Sequence, residues 1–451
     1  MSYSIELTIY MIAELTSQNH SVPDPIQGII ELPIWLIETI NTPAIRRMMF
    51  IRQLGLKAYL DFPGAIHTRY SHSLGTMHLA GRMADMLSTK MKRKGKEMIS
   101  SSLNDNKNNI AAAGFFHDVA HGPFSHAVDF VMQKIIGKTH EQLAEEIIKK
   151  FIPSSIEDWG INRNAIVQLI MPKKHRHPFL GQLINGPLDS DKLDYLLRDA
   201  YHVGLRYSFD LNQFLRSYTI IGDEQDISGC ILGLDPRKES IVTAELFIMI
   251  WKSMYDLVYY AERSRIAEKM LEKAILLNQD DETIKEAFKL NEFLKFDDEA
   301  MLSLIERLGE TEHLLAPRDP RRLYSKVIEK ELNKDTFDMT TKFLAELGGN
   351  SDKLSDVLSL QLNDEFTLHK YELICDIVKS RVPREIYLDE VDESLHEVEL
   401  RARSDVIGAI RPRNVIKVYA APPVQERVKT RDINEKLQNM IEGSLDYGKA
   451  D

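Results

Sequence analysis

The residues of this 451-residue chain best suited to chemistry are its histidines, and they are clustered. An even spread of the 14 histidines would place about two of them between residues 67 and 140. That stretch instead contains seven: His67, His72, His78, His117, His121, His126 and His140. Histidine is the commonest metal ligand and the usual acid or base near neutral pH. Clustering alone does not separate a functional site from packed or capping histidines, so the neighbouring residues must decide.

The strongest neighbouring signal is the segment GFFHDVAHGPFSH, in which an apolar helix ends on the pair His117-Asp118 just before a Gly-Pro break. Adjacent residues on a helix do not share a face. They can still meet at one ion on the helix edge, because imidazole reaches further than carboxylate. With His72 upstream and Asp191 downstream, the pattern predicts a two-His, two-Asp metal site with open positions for water and phosphate. Such a mixed nitrogen and oxygen set suits Fe, Mn, Zn, Ni or Mg and does not choose between them.

Other polar residues near this pattern have simpler interpretations. His67 and His78 are interpreted as packed or capping histidines. Asp194 and Asp199 are interpreted mainly as counter-charges for Arg198 and its neighbours.

The order H…HD…D resembles the HD-domain phosphohydrolase superfamily. Five segments resemble, more closely, its deoxynucleoside triphosphate (dNTP) triphosphohydrolase branch: NTPAIRRMMFIRQLG, HTRYSHSLG, HDVAHGPFSH, THEQ and DSDKLDYLLRDAYHVG. That branch includes bacterial dGTPase-like enzymes and the animal SAM-and-HD-domain dNTPase. The resemblance runs from about Asp24 to Ile275, over half of the chain. It implies a mainly α protein, an HD-domain helical bundle with a smaller α+β C-terminal region.

Carried over position by position, the resemblance implies a role for each matching residue. The implied ligands of a divalent metal ion are His72, His117, Asp118 and Asp191. The implied contacts to substrate phosphate, sugar or base are Gln53, Arg69, Lys192 and Tyr195. The implied catalytic group around the scissile phosphate is His121, His126, His140 and Asp129. Within that group, His126 is the expected proton donor to the leaving oxygen, with Asp129 behind it.

The resemblance also bears on partners. The family's guanine-nucleotide effector positions are occupied here by Asn41, Arg46, Met49 and Gln213, so the same GTP-activated switch is not expected. Arg321 and Arg322 resemble a basic segment near the effector site, which leaves a nucleotide effector possible in altered form. The family habit implies a homo-oligomer, either a dimer, a tetramer or a hexamer.

Composition excludes several classes of protein. With 57 basic and 68 acidic residues the net charge is −11, which disfavours an extended nucleic-acid surface. No run of about 18 apolar residues predicts a membrane span, and the first 20 residues do not resemble a secretion signal. Two cysteines cannot form a disulfide framework or a four-Cys zinc site. A cytoplasmic location is therefore expected.

The apolar spacing predicts a largely helical chain. It indicates helices over Ser73–Lys90, His140–Phe151 and most of Ala244–Asn278, with Asp297 or Asp298 capping a further one. The polar, basic stretch Lys92–Asn109 is predicted to be a loop.

The later part of the chain has more strand character. A short hairpin is predicted from Ser228–Leu234 and Ser240–Thr243. Beyond Pro383 the pattern predicts strands and a closing helix: Ile386–Leu388, Val398–Arg403, Val415–Ala420 and Thr430–Glu442. We therefore expect a helical HD body over residues 1–380, with its core at about 45–200, and a mixed region over 381–451.

The expected function is hydrolysis of dNTPs to deoxynucleoside and inorganic triphosphate. Two alternatives remain at this stage. One is another HD phosphoester reaction, carried out by a nucleoside monophosphatase, a cyclic-nucleotide phosphodiesterase or a nuclease. The other is a catalytically idle HD scaffold that senses nucleotides, which predicts an eroded ligand set; no erosion is seen.

Overall fold

Helices dominate the protein, as expected. The computed structural model describes residues 20–171, 176–308, 311, 314–315, 318–346, 351–363, 366, 368–369, 371–379, 381, 384–391 and 397–441. The helices before residue 218 are α1 (Ile34–Thr39), α2 (Pro43–Arg46), α3 (Lys57–Leu60), α4 (Arg69–Arg93), α5 (Glu97–Phe116), α6 (His126–Ile136), α7 (His140–Phe151), α8 (Arg163–Ile170), α9 (Pro178–Asn185), α10 (Ser190–His202) and α11 (Leu211–Ser217). The later helices are α12 (Lys238–Met254), α13 (Glu262–Leu277), α14 (Glu282–Ala287), α15 (Leu290–Phe293), α16 (Asp298–Arg307), α17 (Lys334–Glu346), α18 (Ser351–Asn363), α19 (Leu400–Arg403), α20 (Asp405–Gly408), α21 (Pro422–Arg427) and α22 (Thr430–Ile441).

Three small sheets accompany the helices. Their strands are β1 (Ser21–Asp24), β2 (Gly28–Glu31), β3 (Tyr218–Ile221), β4 (Ile231–Leu234), β5 (Ser325–Leu332), β6 (Leu373–Val378), β7 (Tyr387–Val391), β8 (Glu397–Glu399) and β9 (Asn414–Ala420). β1 pairs with β2, the second sheet has the order β3-β4-β7-β8, and the third has the order β5-β9-β6. The second and third sheets each include strands from both sides of residue 380, so strand pairing crosses the expected domain boundary. The division of the chain near that residue stays a prediction.

The centre of the helical body is the pair α4 and α5, with α10 packed against α4. Thr68 caps the start of α4 with a capping box. Its hydroxyl oxygen accepts the Ser71 N–H, and the Ser71 hydroxyl oxygen accepts the Thr68 N–H. Close approach of these helices depends on two glycines. A Cβ at Gly75 would lie 1.9 Å from Asp194 Oδ1, and one at Gly114 would lie 3.0 Å from the Thr76 carbonyl oxygen.

The structure corrects the predicted loop at Lys92–Asn109. Most of this stretch belongs to α5, which begins at Glu97. Most of the polar residues face solvent, while Ile99, Leu103 and Ile110 are fully buried at helical spacing against the core. The long amphipathic helix was therefore hidden by a wide polar face.

The predicted hairpin is wrong in one of its two strands. Residues 240–243 lie in α12, and β4 pairs antiparallel with β3 instead. The β-branched residues Ile241, Val242 and Thr243 resemble a strand locally. The helical spacing of the buried residues Ala244, Phe247 and Ile248 overrides that preference.

Most other predicted elements are present. Ala244–Asn278 is helical but interrupted by a π-helical turn at Tyr255–Tyr259, and α13 follows. The Asp297 side chain caps α16 by accepting the Ala300 N–H. The predicted strand Val398–Arg403 is wrong after its start, because residues 400–403 form α19. Within the described residues, no helix combines the length and apolar character that crossing a membrane requires.

Candidate active site

Two histidines and one aspartate from three helices converge near the middle of the helical body. His72 lies in the first turn of α4, His117 directly follows α5, and Asp191 lies in the first turn of α10. Asp191 Oδ1 is 3.0 Å from His72 Nε2 and 3.5 Å from His117 Nε2. Donor atoms bound to one ion at about 2.1 Å lie about 3.0–3.4 Å apart. The three side chains can therefore hold one metal ion between them.

Asp118 lies against the same cluster. Its Oδ1 is 3.2 Å from His117 Nε2, and its Oδ2 is 3.7 Å from His72 Nε2. The carboxylate is buried, with 5% of the residue exposed. The structure thus brings together all four residues that the sequence pattern placed in the ligand set.

The hydrogen bonds of His117 fit a metal-binding role. Its Nδ1–H donates to the Gly114 carbonyl at 2.8 Å, which leaves the lone pair on Nε2. Nε2 is buried and makes no hydrogen bond, although two carboxylates lie close to it. A buried nitrogen without a hydrogen-bond partner is costly unless a ligand occupies that position. The residues present therefore fit a metal ion.

His72 is oriented by a buried acid. Its Nδ1–H donates to Asp194 Oδ2 at 3.0 Å, which turns Nε2 toward Asp191. Arg198 donates hydrogen bonds to both carboxylate oxygens of Asp194 at 2.7 and 3.0 Å and to Asp24 Oδ2 at 2.7 Å. The interpretation of Asp194 as a counter-charge for Arg198 is therefore correct but incomplete, because the same carboxylate also supports a candidate metal ligand.

The electrostatics of the site favour a positive charge. Burial opposes the protonation of His72, yet the Asp191, Asp194 and Asp118 carboxylates raise its pKa to about 10. Burial also opposes ionisation of Asp191, but the two imidazoles lower its pKa. A cluster that stabilises imidazolium to this degree is suited to hold a cation.

The predicted phosphate-binding cations are both held by acids. Arg69 Nη1 donates to Asp118 Oδ2 at 2.6 Å, and its Nε donates to Ser125 Oγ at 3.0 Å. Lys192 Nζ donates to Asp189 Oδ2 at 2.6 Å. Both cations line a cavity of about 630 Å³ that also contains Asp118.

The imidazoles predicted near the scissile phosphate lie next to the ligand cluster. His121 Nε2 is 3.3 Å from Asp118 Oδ1, and its ring packs against that of His140 at a tilt of 40°, with centroids 4.2 Å apart. Asp129 Oδ1 is 3.4 Å from His121 Nδ1, so this carboxylate lies beside His121. His126 begins α6, but its side chain lies outside the described residues, and its role stays a prediction.

The protonation preferences of the two described imidazoles differ. Burial and His121 lower the pKa of His140 to about 3, which keeps His140 neutral. Burial and Arg69 act against protonation of His121, but Asp129 and Asp118 raise its pKa overall. His121 is therefore the better proton donor of the two.

The cavity also contains the remaining predicted contacts. Gln53 and Tyr195 both line it, and Gln53 Oε1 is buried without a hydrogen-bond partner. Such an atom favours a polar ligand group at this end of the cavity.

Other cavity residues were missed at the level of sequence. Asp199 accepts a hydrogen bond from the Tyr259 hydroxyl at 2.7 Å and lies 2.7 Å from His67 Nε2, rather than pairing with Arg198. Tyr255 and Arg381 line the cavity as well. The spacing of Tyr195 and Asp199 on one face of α10 could have indicated Asp199, but nothing local indicates Arg381.

Comparison with known families agrees with this arrangement. The HD domain model matches residues 69–198, which contain the whole ligand cluster, and the HD associated region model matches residues 232–440. The chain therefore contains an HD domain, followed by an HD associated region. Within that superfamily its sequence is related to the dNTP triphosphohydrolase branch, as its motifs indicated.

Individual relatives vary in how much they share. An uncharacterised protein of Methanocaldococcus jannaschii is 27% identical over 91% of this chain and 84% of its own length. The dNTP triphosphohydrolase homologue of Dictyostelium discoideum is 27% identical over 76% and 68%. The human dNTP triphosphohydrolase is 29% identical over 46% of this chain, which spans only 37% of the human enzyme.

A solved structure supports the fold alone. The crystal structure of a hypothetical protein from Aquifex aeolicus has a TM-score of 0.69 and 22% identity, and it covers 92% of this chain and 99% of its own. Together the domain match and the relatives support an HD phosphohydrolase.

Proposed function

We propose that the protein hydrolyses dNTPs to a deoxynucleoside and inorganic triphosphate. One observation supports the proposal: Asp191 of the His72–His117–Asp191 cluster, together with Asp118, lines a cavity of about 630 Å³ that is also lined by Arg69, Lys192 and several tyrosines. A cavity of that size accommodates a nucleotide.

The ligand set of the proposed reaction is His72, His117, Asp118 and Asp191. A divalent metal ion held there supplies Lewis-acid chemistry, because it stabilises negative charge on phosphate oxygens and makes water more acidic. The metal could be Mg, Mn, Fe, Zn or Ni. The chain's own residues supply the positioning and the proton transfer.

The reaction balances without a further co-reactant. Water adds to the α-phosphorus and loses a proton, the bond from that phosphorus to the 5′ oxygen breaks, and the leaving oxygen takes up a proton. Arg69 and Lys192 oppose the charge that spreads over the phosphate oxygens. His121, held between Asp118 and Asp129, is the described imidazole best placed to donate the proton, and His126 remains the second candidate. His140, which stays neutral, positions His121 by packing against its ring.

On the nucleoside side, Gln53 is proposed to read the sugar hydroxyl and Tyr195 to pack against the sugar or base. The aromatic rings of Tyr195 and Tyr259, with centroids 5.9 Å apart, form an apolar wall suited to stacking. A nucleotide effector near Arg321 and Arg322, a homo-oligomer and a cytoplasmic location stay predictions.

The deciding experiment incubates the purified protein with each dNTP in turn, in the presence of Mg²⁺, Mn²⁺ or Fe²⁺. Products are separated by ion-exchange chromatography. Deoxynucleoside plus inorganic triphosphate supports the proposal, and in ¹⁸O-water the label must appear in the triphosphate. Intact dNTPs with every metal, alongside cleaved monophosphates, cyclic nucleotides or single-stranded DNA, would favour another HD phosphoester reaction.

Variants separate chemistry from folding. Asp118→Ala is expected to lower activity at least about 1,000-fold while the fold survives, because it removes a ligand and the partner of Arg69. Asp105→Asn, on the exposed face of α5, is the matched control and should retain activity. Full activity in the Asp118 variant would refute the ligand assignment.

A further inference from the structure

The cations that line the cavity differ in how their charge is balanced. Six Lys or Arg side chains line it: Lys57, Arg69, Lys192, Arg265, Lys379 and Arg381. Four of them form ion pairs with carboxylates inside the protein, namely Glu268, Asp118, Asp189 and Asp376 in the same order. Within the described part of the chain, Lys379 and Arg381 have no carboxylate partner. The unbalanced positive charge of the cavity is therefore concentrated just after β6.

Arg381 lies on the tyrosine-lined side of the cavity. Its guanidinium carbon is 5.4 Å from the centre of the Tyr255 ring. Burial raises the pKa of Tyr195 and of Tyr255, and in both cases the positive charge of Arg381 acts in the opposite direction. Arg381 is thus close enough to influence Tyr195, which lies one helical turn beyond Asp191 on α10.

The backbone that carries Arg381 is fixed to the HD side of the cavity. The Tyr260 hydroxyl donates to the Lys379 carbonyl at 2.8 Å. Arg265 binds both oxygens of Asp376 in β6 and lies over the Tyr260 ring, with its guanidinium carbon 5.4 Å from the ring centre. These contacts hold the end of β6 at the cavity, and Arg381, which lines the same cavity, follows Lys379 by two residues.

A nucleoside triphosphate carries about four negative charges, and in the proposed reaction its α-phosphate lies at the metal ligands, with Arg69 and Lys192 opposing its charge. The distal phosphates must then extend further into the cavity, where Lys57 and Arg265 are paired with carboxylates and offer less net charge than an unpaired cation. A guanidinium presents a planar set of donors that matches two phosphate oxygens at once. An unpaired arginine at the cavity wall is the group such phosphates require.

We propose that Arg381, contributed by the HD-associated region, binds the distal phosphates of the nucleoside triphosphate substrate. This inference rests on the proposed function, since it names the part of the same site that distinguishes a triphosphate from a monophosphate. It also gives the HD-associated region a direct part in substrate binding. Lys379, whose Nζ lies 5.7 Å from the centre of the Phe337 ring, adds positive charge to the cavity. As an ammonium group it does not offer the paired, planar donors of a guanidinium.

The test measures binding of inorganic tripolyphosphate and of orthophosphate by calorimetry, without turnover. Arg381→Ala should weaken tripolyphosphate binding about tenfold or more, and orthophosphate binding less than about threefold. Arg381→Lys should fall between wild type and the alanine variant. Arg413→Ala is the control, because Arg413 is exposed, pairs with Glu331 and does not line the cavity.

Three results would overturn the inference: tripolyphosphate affinity unchanged in Arg381→Ala, an equal loss for orthophosphate, or no tripolyphosphate binding by the wild type. Hydrolysis assays separate this outcome from the proposed function. If the wild type hydrolyses dNTPs, Arg381→Ala should raise KM about tenfold with kcat within about twofold. If the wild type leaves all dNTPs intact, the proposed function fails, and the calorimetry still decides whether Arg381 binds polyphosphate.

Discussion

Asp298 Oδ1 accepts a hydrogen bond from the backbone N–H of Phe124 at 2.8 Å, which joins the HD-associated region to the loop after the ligand cluster. Its Oδ2 accepts the Arg52 N–H at 3.0 Å, so one buried carboxylate bridges two loops of the cavity wall. Phe124 and Ser125 have φ angles of 57° and 53°, a region that costs non-glycine residues about 1–2 kcal/mol each. Ser125 in turn receives a hydrogen bond from Arg69. Asp298 therefore stabilises a strained segment that positions a candidate phosphate-binding group.

Replacing Asp298 should affect stability and activity together. Asp298→Ala leaves two buried N–H groups without acceptors, and we expect unfolding in urea to show a loss of about 2–4 kcal/mol. The rate of phosphoester hydrolysis should fall about tenfold or more, because the Ser125 hydroxyl that binds Arg69 Nε loses its fixed position, although Asp118 still binds Arg69. Asp298→Asn should be milder, since an amide oxygen still accepts one of the two bonds.

The control for Asp298 lies on the same helix. Glu299→Gln removes an exposed charge and should change stability by less than about 0.5 kcal/mol. Equal effects of the Asp298 and Glu299 variants would contradict the bridging role.

Asp194 offers a second prediction, because it orients His72 without being placed to bind the metal itself. Asp194→Asn keeps the volume but weakens the hold on the His72 Nδ1–H. We expect metal affinity, measured by titration, to fall about 10- to 100-fold. Activity should recover partly at high metal concentration. A metal affinity equal to that of the wild type would show that Asp194 serves only Arg198.

A third prediction uses two glycines of α4. A Cβ at Gly75 would lie 1.9 Å from Asp194 Oδ1, whereas one at Gly81 would lie 3.8 Å from the Ala111 Cβ. Gly75→Ala should therefore cost more than about 2 kcal/mol of stability and displace Asp194. Gly81→Ala should be neutral or stabilise by up to about 1 kcal/mol, because alanine favours the helix. Denaturant titrations of both variants provide the comparison, and similar stabilities would refute the close packing of α4 on α10.

A fourth prediction concerns pH. Burial and His121 lower the pKa of His140 from its ordinary value of 6.5 to about 3. Between these values the unfolded chain binds a proton at this position and the folded protein does not, so stability rises with pH. The contribution is fully present above about pH 6.5 and is lost as the pH falls toward 3.

The matched variant is His140→Gln, which does not titrate. The difference in unfolding free energy between wild type and variant, measured by urea titration from pH 4 to 7, should shrink or reverse as the pH falls. A difference that is constant across this range would show that His140 is not held neutral in the folded protein.

Features of the fold that are set by residues close in sequence could be predicted. The mainly helical fold class is one of them, because the helical spacing of apolar residues is visible in the sequence. The polar face of α5 was mistaken for a loop, because solvent-facing polar residues occur in helices and in loops alike and do not distinguish the two. The β-branched run at 241–243 was mistaken for a strand, because packing of the following residues on the core outweighs intrinsic preference.

The chain by itself determined the residue types and their order: His72, His117-Asp118 and Asp191. It also indicated a helix after His72 and an apolar helix that ends at His117-Asp118. Tertiary structure alone decided which distant groups stand beside them. Asp298 and Arg381 come from the HD-associated region: Asp298 binds two loops of the cavity wall and Arg381 lines the cavity, and no local pattern predicts either placement. The physical reason is that side-chain chemistry and helical period belong to neighbours in sequence, whereas proximity across hundreds of residues is set by how the whole core packs.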